Sequence, residues 1–143
     1  MPLIIAEMTL GDYDEVLALW RTSEGIGLSE ADSREGMAGF LSHNPGLSLV
    51  ARDGKALAGA VLCGHDGRRG YLHHLAVMAG SRGRGIGRAL VGECLARLKQ
   101  HDIHRCHLFV FRDNRDALDF WEKIGWSIRT DLTMMSRNTA LEG

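Results

Sequence analysis

Few folds can accommodate the stretch from Tyr71 to Phe111. Tyr71 to Val77, YLHHLAV, reads as a strand; Leu90, Val91, Cys94, Leu95 and Leu98 then fall on one face of a helix running to about Gln100; Cys106 to Phe111 reads as the next strand. A strand, a helix and a strand in succession imply a right-handed parallel crossover. Upstream, Asp53-Gly54 separates two strand-like runs, Leu47 to Ala51 and Ala56 to Cys63, and tolerates the positive φ of a tight hairpin. Asp66-Gly67 then turns the chain into Tyr71.

The flanks follow the same periodicities. Leu3 to Ala6 reads as a strand, and Tyr13, Val16, Leu17 and Trp20 stripe a helix after Gly11-Asp12. Ser29 to Ser42 reads as a weakly patterned helix with Met37, Phe40 and Leu41 as its stripe. Ala117, Phe120, Trp121 and Ile124 stripe a last helix, capped by Asp113 or Asn114 and stopped by Gly125. Trp126 to Ile128 and Leu132 to Met135 are expected to finish the sheet. The expectation is one α+β domain over residues 1–143 around a mixed sheet, without repeats or linkers.

Composition bounds the function classes. With 17 Lys and Arg against 18 Asp and Glu, a net charge of −1 gives no electrostatic case for nucleic acid. The N-terminus MPLIIAEMTLGDYDE has no basic leader followed by a long apolar run, so neither a signal peptide nor a membrane span is expected, and the cytoplasm is the expected compartment. Cys63, Cys94 and Cys106, odd in number and scattered, fit reduced thiols in the core or strands rather than a disulfide framework or a nucleophile.

At the junction of strand and helix stands Ser81 to Leu90, SRGRGIGRAL. A helix start exposes unpaired N–H groups and the positive end of its dipole, and glycines let a large anion approach the backbone. Arg82, Arg84 and Arg88 could add charge-assisted hydrogen bonds, or could simply be solvated. A P-loop is disfavoured because Ile86 stands where its lysine must be, and a dinucleotide loop because Leu90 stands where its third glycine belongs.

A third pattern fits. Arg82-x-x-Gly85-x-Gly87 after Leu75-Ala76-Val77 resembles the coenzyme A pyrophosphate loop of the GNAT superfamily of acyl-CoA-dependent N-acyltransferases. Downstream, Leu108-x-Val110, Asn114, Ala117, Phe120-Trp121 and Gly125-Trp126 resemble that family's second motif at unbroken spacing. The resemblance implies a mostly antiparallel mixed sheet of about seven strands with about four helices, and transfer of acetyl from acetyl-CoA to an amine. It implies that the backbone around Leu75, Ala76 and Val77 pairs with the pantetheine arm. The pyrophosphate would lie on Arg82 and the amides of Gly83, Arg84, Gly85, Ile86, Gly87 and Arg88, with Asn114, Ala117 and Trp121 completing the cofactor site.

The same resemblance assigns the oxyanion to the Leu75 N–H. For proton removal, imidazole titrates in the right range, and strand alternation puts Tyr71 and His73 on one face with Leu75 and His74 on the other. His73 is the candidate base and Tyr71 a candidate acid, while His74 is read as structural. The strand also resembles the histidine-bearing strand of the serotonin N-acetyltransferases, where such histidines are linked to proton removal. A histidine merely packed in the sheet is the competing reading for His73.

Trp121 departs from the family, which has at that place a tyrosine thought to protonate the leaving thiolate; an indole N–H donates a hydrogen bond but gives up no proton. A chain so altered could bind acyl-CoA as a sensor without turnover. His101, His104, Cys106 and His107 invite a metal, but a helix-to-strand turn scatters them, and no metal is expected. Glu24, Glu30, Asp32 and Glu35 could form an acidic wall that steers a cationic amine, or a solvated helix face. The acceptor stays open among metabolite, antibiotic, polyamine, amino acid and protein amines. Leu132 to Met135 could serve as an interface strand of a homodimer, though core burial would explain it equally.

Overall fold

The computed structural model describes residues 2–140. They fall into two compact units, one through Phe111 and one from Arg112 onward.

The first unit is built on a five-stranded sheet whose strands lie side by side in chain order: β1 (Leu3–Glu7), β2 (Leu49–Asp53), β3 (Ala56–His65), β4 (Gly70–Val77) and β5 (Cys106–His107). The first three neighbouring pairs are antiparallel, and the second and third are joined by short turns. Gly54 at φ 64° and Gly67 at φ 89° make those turns, in the left-handed region that glycine enters freely. β4 and β5 pair in parallel, and α3 (Ile86–Gln100) is the crossover between them. The expected strand–helix–strand unit is therefore present.

Helices α1 (Tyr13–Arg21) and α2 (Arg34–His43) cover one face of the sheet. Their Val16, Leu19, Trp20 and Met37 pack with Val50, Leu57, Ala60, Leu62 and Ala76. Arg52 ties β2 to the start of α1 through Asp12 at 2.8 Å and Glu15 at 2.9 Å. α3 covers the opposite face. Gly59 alternates with Ala60, and a Cβ at Gly59 would stand 3.2 Å from both Ile86 and Leu90. Leu90, Val91, Cys94 and Leu98 are buried along α3, but Leu95, read as part of that stripe, is exposed, because the helix presents a narrower face to the sheet than the sequence suggested.

The region read as one weak helix from Ser29 to Ser42 is broken: Glu30–Asp32 form a short 3-10 turn, Ser33 is extended, and α2 starts at Arg34 with the Ser33 side chain accepting from the Gly36 amide. Ser33 competes with the helix for the backbone, which suits a cap better than an interior position.

The second unit contains α4 (Arg115–Lys123). Asn114, one of the two expected caps, accepts from the Ala117 amide at 3.1 Å, and Gly125 at φ 103° follows the helix end. The strand count is corrected. The sheet has five strands rather than about seven, β5 ends at His107 rather than Phe111, and Trp126–Ile128 and Leu132–Met135 form no strands among the described residues. A β-patterned run needs a ladder partner, and these segments find none.

Candidate active site

β4 carries an irregularity that local sequence does not reveal. It pairs with β3 at Ala76–Ala60 and next at His73–Leu62, so β4 advances three residues while β3 advances two. The extra residue is a bulge, and His74 within it has φ 56°. A left-handed conformation costs a non-glycine residue roughly 1–2 kcal/mol, so neighbouring contacts must hold it.

Three contacts do so. The His74 Nε2 lies 2.9 Å from Asp32 Oδ1, its ring packs edge-on against Trp20 with centroids 4.9 Å apart, and its carbonyl accepts from Trp20 Nε1 at 2.8 Å. Asp32 is fixed in turn: its carbonyl accepts from Tyr13 Oη at 2.7 Å and its Oδ2 from the Ser29 amide at 3.0 Å.

This corrects the alternation read along the strand. His73 packs against Phe40 of α2, and His74 reaches Trp20 and Asp32 on the same α1–α2 side, because the bulge resets the period of two. Val77 lies across from Gly59, which faces α3, so the tail of β4 has changed faces relative to His73. Asp32, read as part of an exposed acidic wall, is only 7 % exposed.

Tyr71 and His73 stack nearly parallel, with rings 6.4 Å apart and planes within 9°. Burial pushes the His73 imidazole below its ordinary range; the charge of His74 acts in the same direction and that of Asp32 opposes it. A depressed imidazole is neutral at pH 7 and able to accept a proton.

Beyond Tyr71 the two parallel strands part. The pairing of β4 with β5 covers Gly70–Cys106 and Tyr71–His107, while β4 itself runs on to Val77. Leu72 to Val77 thus present a strand edge without a ladder partner on the β5 side among the described residues, a place for an extended ligand to add hydrogen bonds. That edge leads into the glycine loop. Gly83 at φ 81° and Gly85 at φ 75° take left-handed conformations, and Gly85 caps the start of α3 without any side chain to occupy the amides. Ile86 and Gly87 are buried at the helix start, whereas Arg82 and Arg88 are exposed. Arg84 is engaged by Asp53 at 3.0 Å, and Arg82 Nε is 3.4 Å from the Val77 carbonyl.

In the second unit, Asn114 and Ala117 form the capped first turn of α4, and Trp121 packs edge-on with Phe120 and Trp126 at 5.2 and 5.1 Å.

The thiols suit packing. Cys63 and Cys94 are buried; Cys94 is pushed up chiefly by its hydrogen bond with Cys63, and burial pushes Cys106 up to about 12. A thiol so raised is a poor nucleophile. No group of three or more metal-ligating side chains stands together among the described residues, and no helix there is long and apolar enough to cross a membrane.

Sequence reasoning missed Asp32 and Trp20 as supports of β4. The one available signal was the adjacent pair His73-His74, since two imidazoles cannot both face one layer of a regular strand.

The profile of the Acetyltransferase (GNAT) family matches residues 13–126. An acetyltransferase of Pectobacterium atrosepticum is 30% identical over 126 residues, covering 88% of this chain and 89% of its own. Among solved structures, the PaiA N-acetyltransferase of Thermoplasma acidophilum in complex with coenzyme A superimposes with a TM-score of 0.78 at 21% identity, over 90% of this chain and 92% of that one. A predicted acetyltransferase of Clostridium acetobutylicum with acetyl-CoA gives a TM-score of 0.73 at 16% identity, over 94% and 96%. The last two likenesses concern the fold. Together with the family match across most of its length, they lead to one conclusion: this chain belongs to the GNAT family of acetyltransferases.

Proposed function

We propose that this protein is a cytoplasmic N-acetyltransferase that moves acetyl from acetyl-CoA to an amine by direct attack on the bound thioester. One observation carries the reading: an edge of β4 that is unpaired beyond Tyr71 among the described residues leads, through the short 3-10 turn Ala79–Ser81, into a glycine loop at the start of a helix. An amide-bearing arm is satisfied by the edge at Leu75, Ala76 and Val77, and a diphosphate by the amides from Gly83 to Arg88 with Arg82 beside them. The relatives solved with coenzyme A and acetyl-CoA support the choice of ligand. Residues 1–143 act as one catalytic domain in this reading, supported by a family match that spans both units, and Asn114, Ala117 and Trp121 contribute from α4.

The chemistry follows from the bulge. The amine nitrogen forms a bond to the thioester carbon, and the carbonyl electron pair moves onto oxygen. In a trans peptide the N–H points opposite to the C=O. With the His74 carbonyl drawn to Trp20, the Leu75 N–H is turned away from that indole and can donate to the oxyanion. The amine proton passes to neutral His73, directly or through water. The intermediate then collapses, the carbon–sulfur bond breaks, and coenzyme A leaves as thiolate. A coenzyme A thiol with a pKa comparable to that of cysteine, about 8.5, needs little help to leave, and Tyr71 beside His73 is the candidate to protonate it.

Trp121 in the family's tyrosine position favours a second reading, an acyl-CoA sensor without turnover. A thiol-release assay with acetyl-CoA and a library of amines decides: turnover with any amine supports the enzyme, and coenzyme A binding with silence across the library supports the sensor. Calorimetry showing no binding of coenzyme A or its desulfo analogue at millimolar concentration would refute both.

A further inference from the structure

His74 is one of two non-glycine residues with positive φ among the described residues, and the other, Asp102, follows the end of α3, where such a conformation is ordinary. At His74 no helix end calls for it. The conformation is held from outside the strand, by Trp20 of α1 and by Asp32 of the turn before α2. Asp32 divides its carboxylate between its own turn and His74. A buried carboxylate costs stability unless each oxygen has a partner; here Oδ2 closes its own turn on Ser29 and Oδ1 is committed to His74. The turn that bears it packs closely on α2, where the carbonyl of Ala31 abuts Gly36 so tightly that a side chain there would collide with it.

We propose that Asp32 is a positioning residue for acyl transfer: by holding the His74 imidazole at Nε2 it maintains the left-handed kink of β4, and so the direction in which the Leu75 amide points. The inference rests on the acetyltransfer reading above, in which that amide receives the oxyanion. The peptide between His74 and Leu75 is gripped at its carbonyl by Trp20 and, one ring away, at the imidazole by Asp32. Releasing the ring lets the peptide rotate about the remaining hydrogen bond. The glycine loop begins only after Val77 and the Ala79–Ser81 turn, so its amides stay in place.

The test uses the full chain with Asp32→Asn and His74→Gly. Glycine accepts φ 56° without strain, so His74→Gly removes the ring and its hold but not the backbone conformation it needs. Misplacing a catalytic group by about 1 Å costs on the order of 100-fold, so kcat is expected to fall between about 10- and 100-fold in both variants. KM for acetyl-CoA should rise by clearly less than kcat falls, since the loop amides from Gly83 to Arg88 still hold the diphosphate and only the arm's contact at Leu75 is disturbed. Added imidazole should not restore kcat in His74→Gly, because a free ring is not bonded to the chain and cannot turn the peptide; rescue would mean that the ring itself handles a proton. In the free protein, the ¹⁵N–¹H resonance of Leu75 should move in Asp32→Asn while that of buried Cys94 on α3 does not.

Wild-type kcat in Asp32→Asn, or an unmoved Leu75 resonance, overturns the proposal. So does a loss of kcat accompanied by an equal rise in KM, or rescue of His74→Gly by added imidazole. Should His74→Gly fail to fold, kcat and the Leu75 resonance of Asp32→Asn decide the matter. Wild-type turnover is measured first: its absence counts against acetyltransfer itself, whereas full activity of the variants counts against the Asp32–His74 assignment alone.

Discussion

Replacing Gly85 by alanine should weaken coenzyme A binding although the new methyl group touches nothing. A Cβ at Gly85 meets no atom within 4 Å, and the same holds at Gly83 and Gly80. The cost is therefore in the backbone. At φ 75° an L-residue is disfavoured by roughly 1–2 kcal/mol. Two limits follow. If the loop keeps its conformation, the strain is carried by the folded protein, less about 0.4–1 kcal/mol by which alanine stiffens the unfolded chain. Tm then falls by about 2–4 °C for each net kcal/mol. If the loop relaxes instead, Tm is preserved and the strain is met on binding, raising Kd about 5- to 30-fold. The two effects share one source, so a small shift in Tm should go with a large shift in Kd and the reverse. Calorimetric titration with coenzyme A, alongside thermal unfolding, reads both. Gly80→Ala, equally open but without a left-handed φ, is the control: Kd should be unchanged and Tm should rise slightly through the same stiffening of the unfolded chain. Wild-type Kd and Tm in Gly85→Ala would refute the reasoning.

Four further outcomes are expected. Because burial lowers the His73 pKa, the acidic limb of kcat/KM should lie below the ordinary value of 6.5, and His73→Ala should abolish it. The same shift is a stability effect: burying the neutral ring leaves its full contribution above pH 6.5, and stability is lost as pH falls through that value towards the folded pKa. Urea midpoints at about pH 7.5 and 5.5 should thus differ less in His73→Phe than in wild type. Trp20→Phe removes the donor to the His74 carbonyl and should cost about 1–3 kcal/mol in urea unfolding. Gly70→Ala would place a Cβ 2.6 Å from Leu98 Cδ1 at the root of the β4–β5 pair, and the overpacking should cost about 1–3 kcal/mol, seen as a lower Tm.

Much of this protein was written in short-range sequence. The hairpin glycines, the strand before the loop, the left-handed glycines at the start of α3 and the cap and stop of α4 depend on residues a few positions apart, so propensity and spacing suffice to find them. The tertiary structure decided what spans larger gaps. Register against β3 creates the bulge, so His73 and His74 face the same layer; no count along β4 alone reveals it. Asp32 and Trp20 reach His74 across 42 and 54 residues, and Asp53 takes Arg84 from across 31, partners that no local spacing reveals. The late β-patterned runs show the opposite outcome, because a strand exists only where another strand offers it hydrogen bonds. Local chemistry determined the elements and the glycine loop; packing of distant segments determined where the imidazoles point.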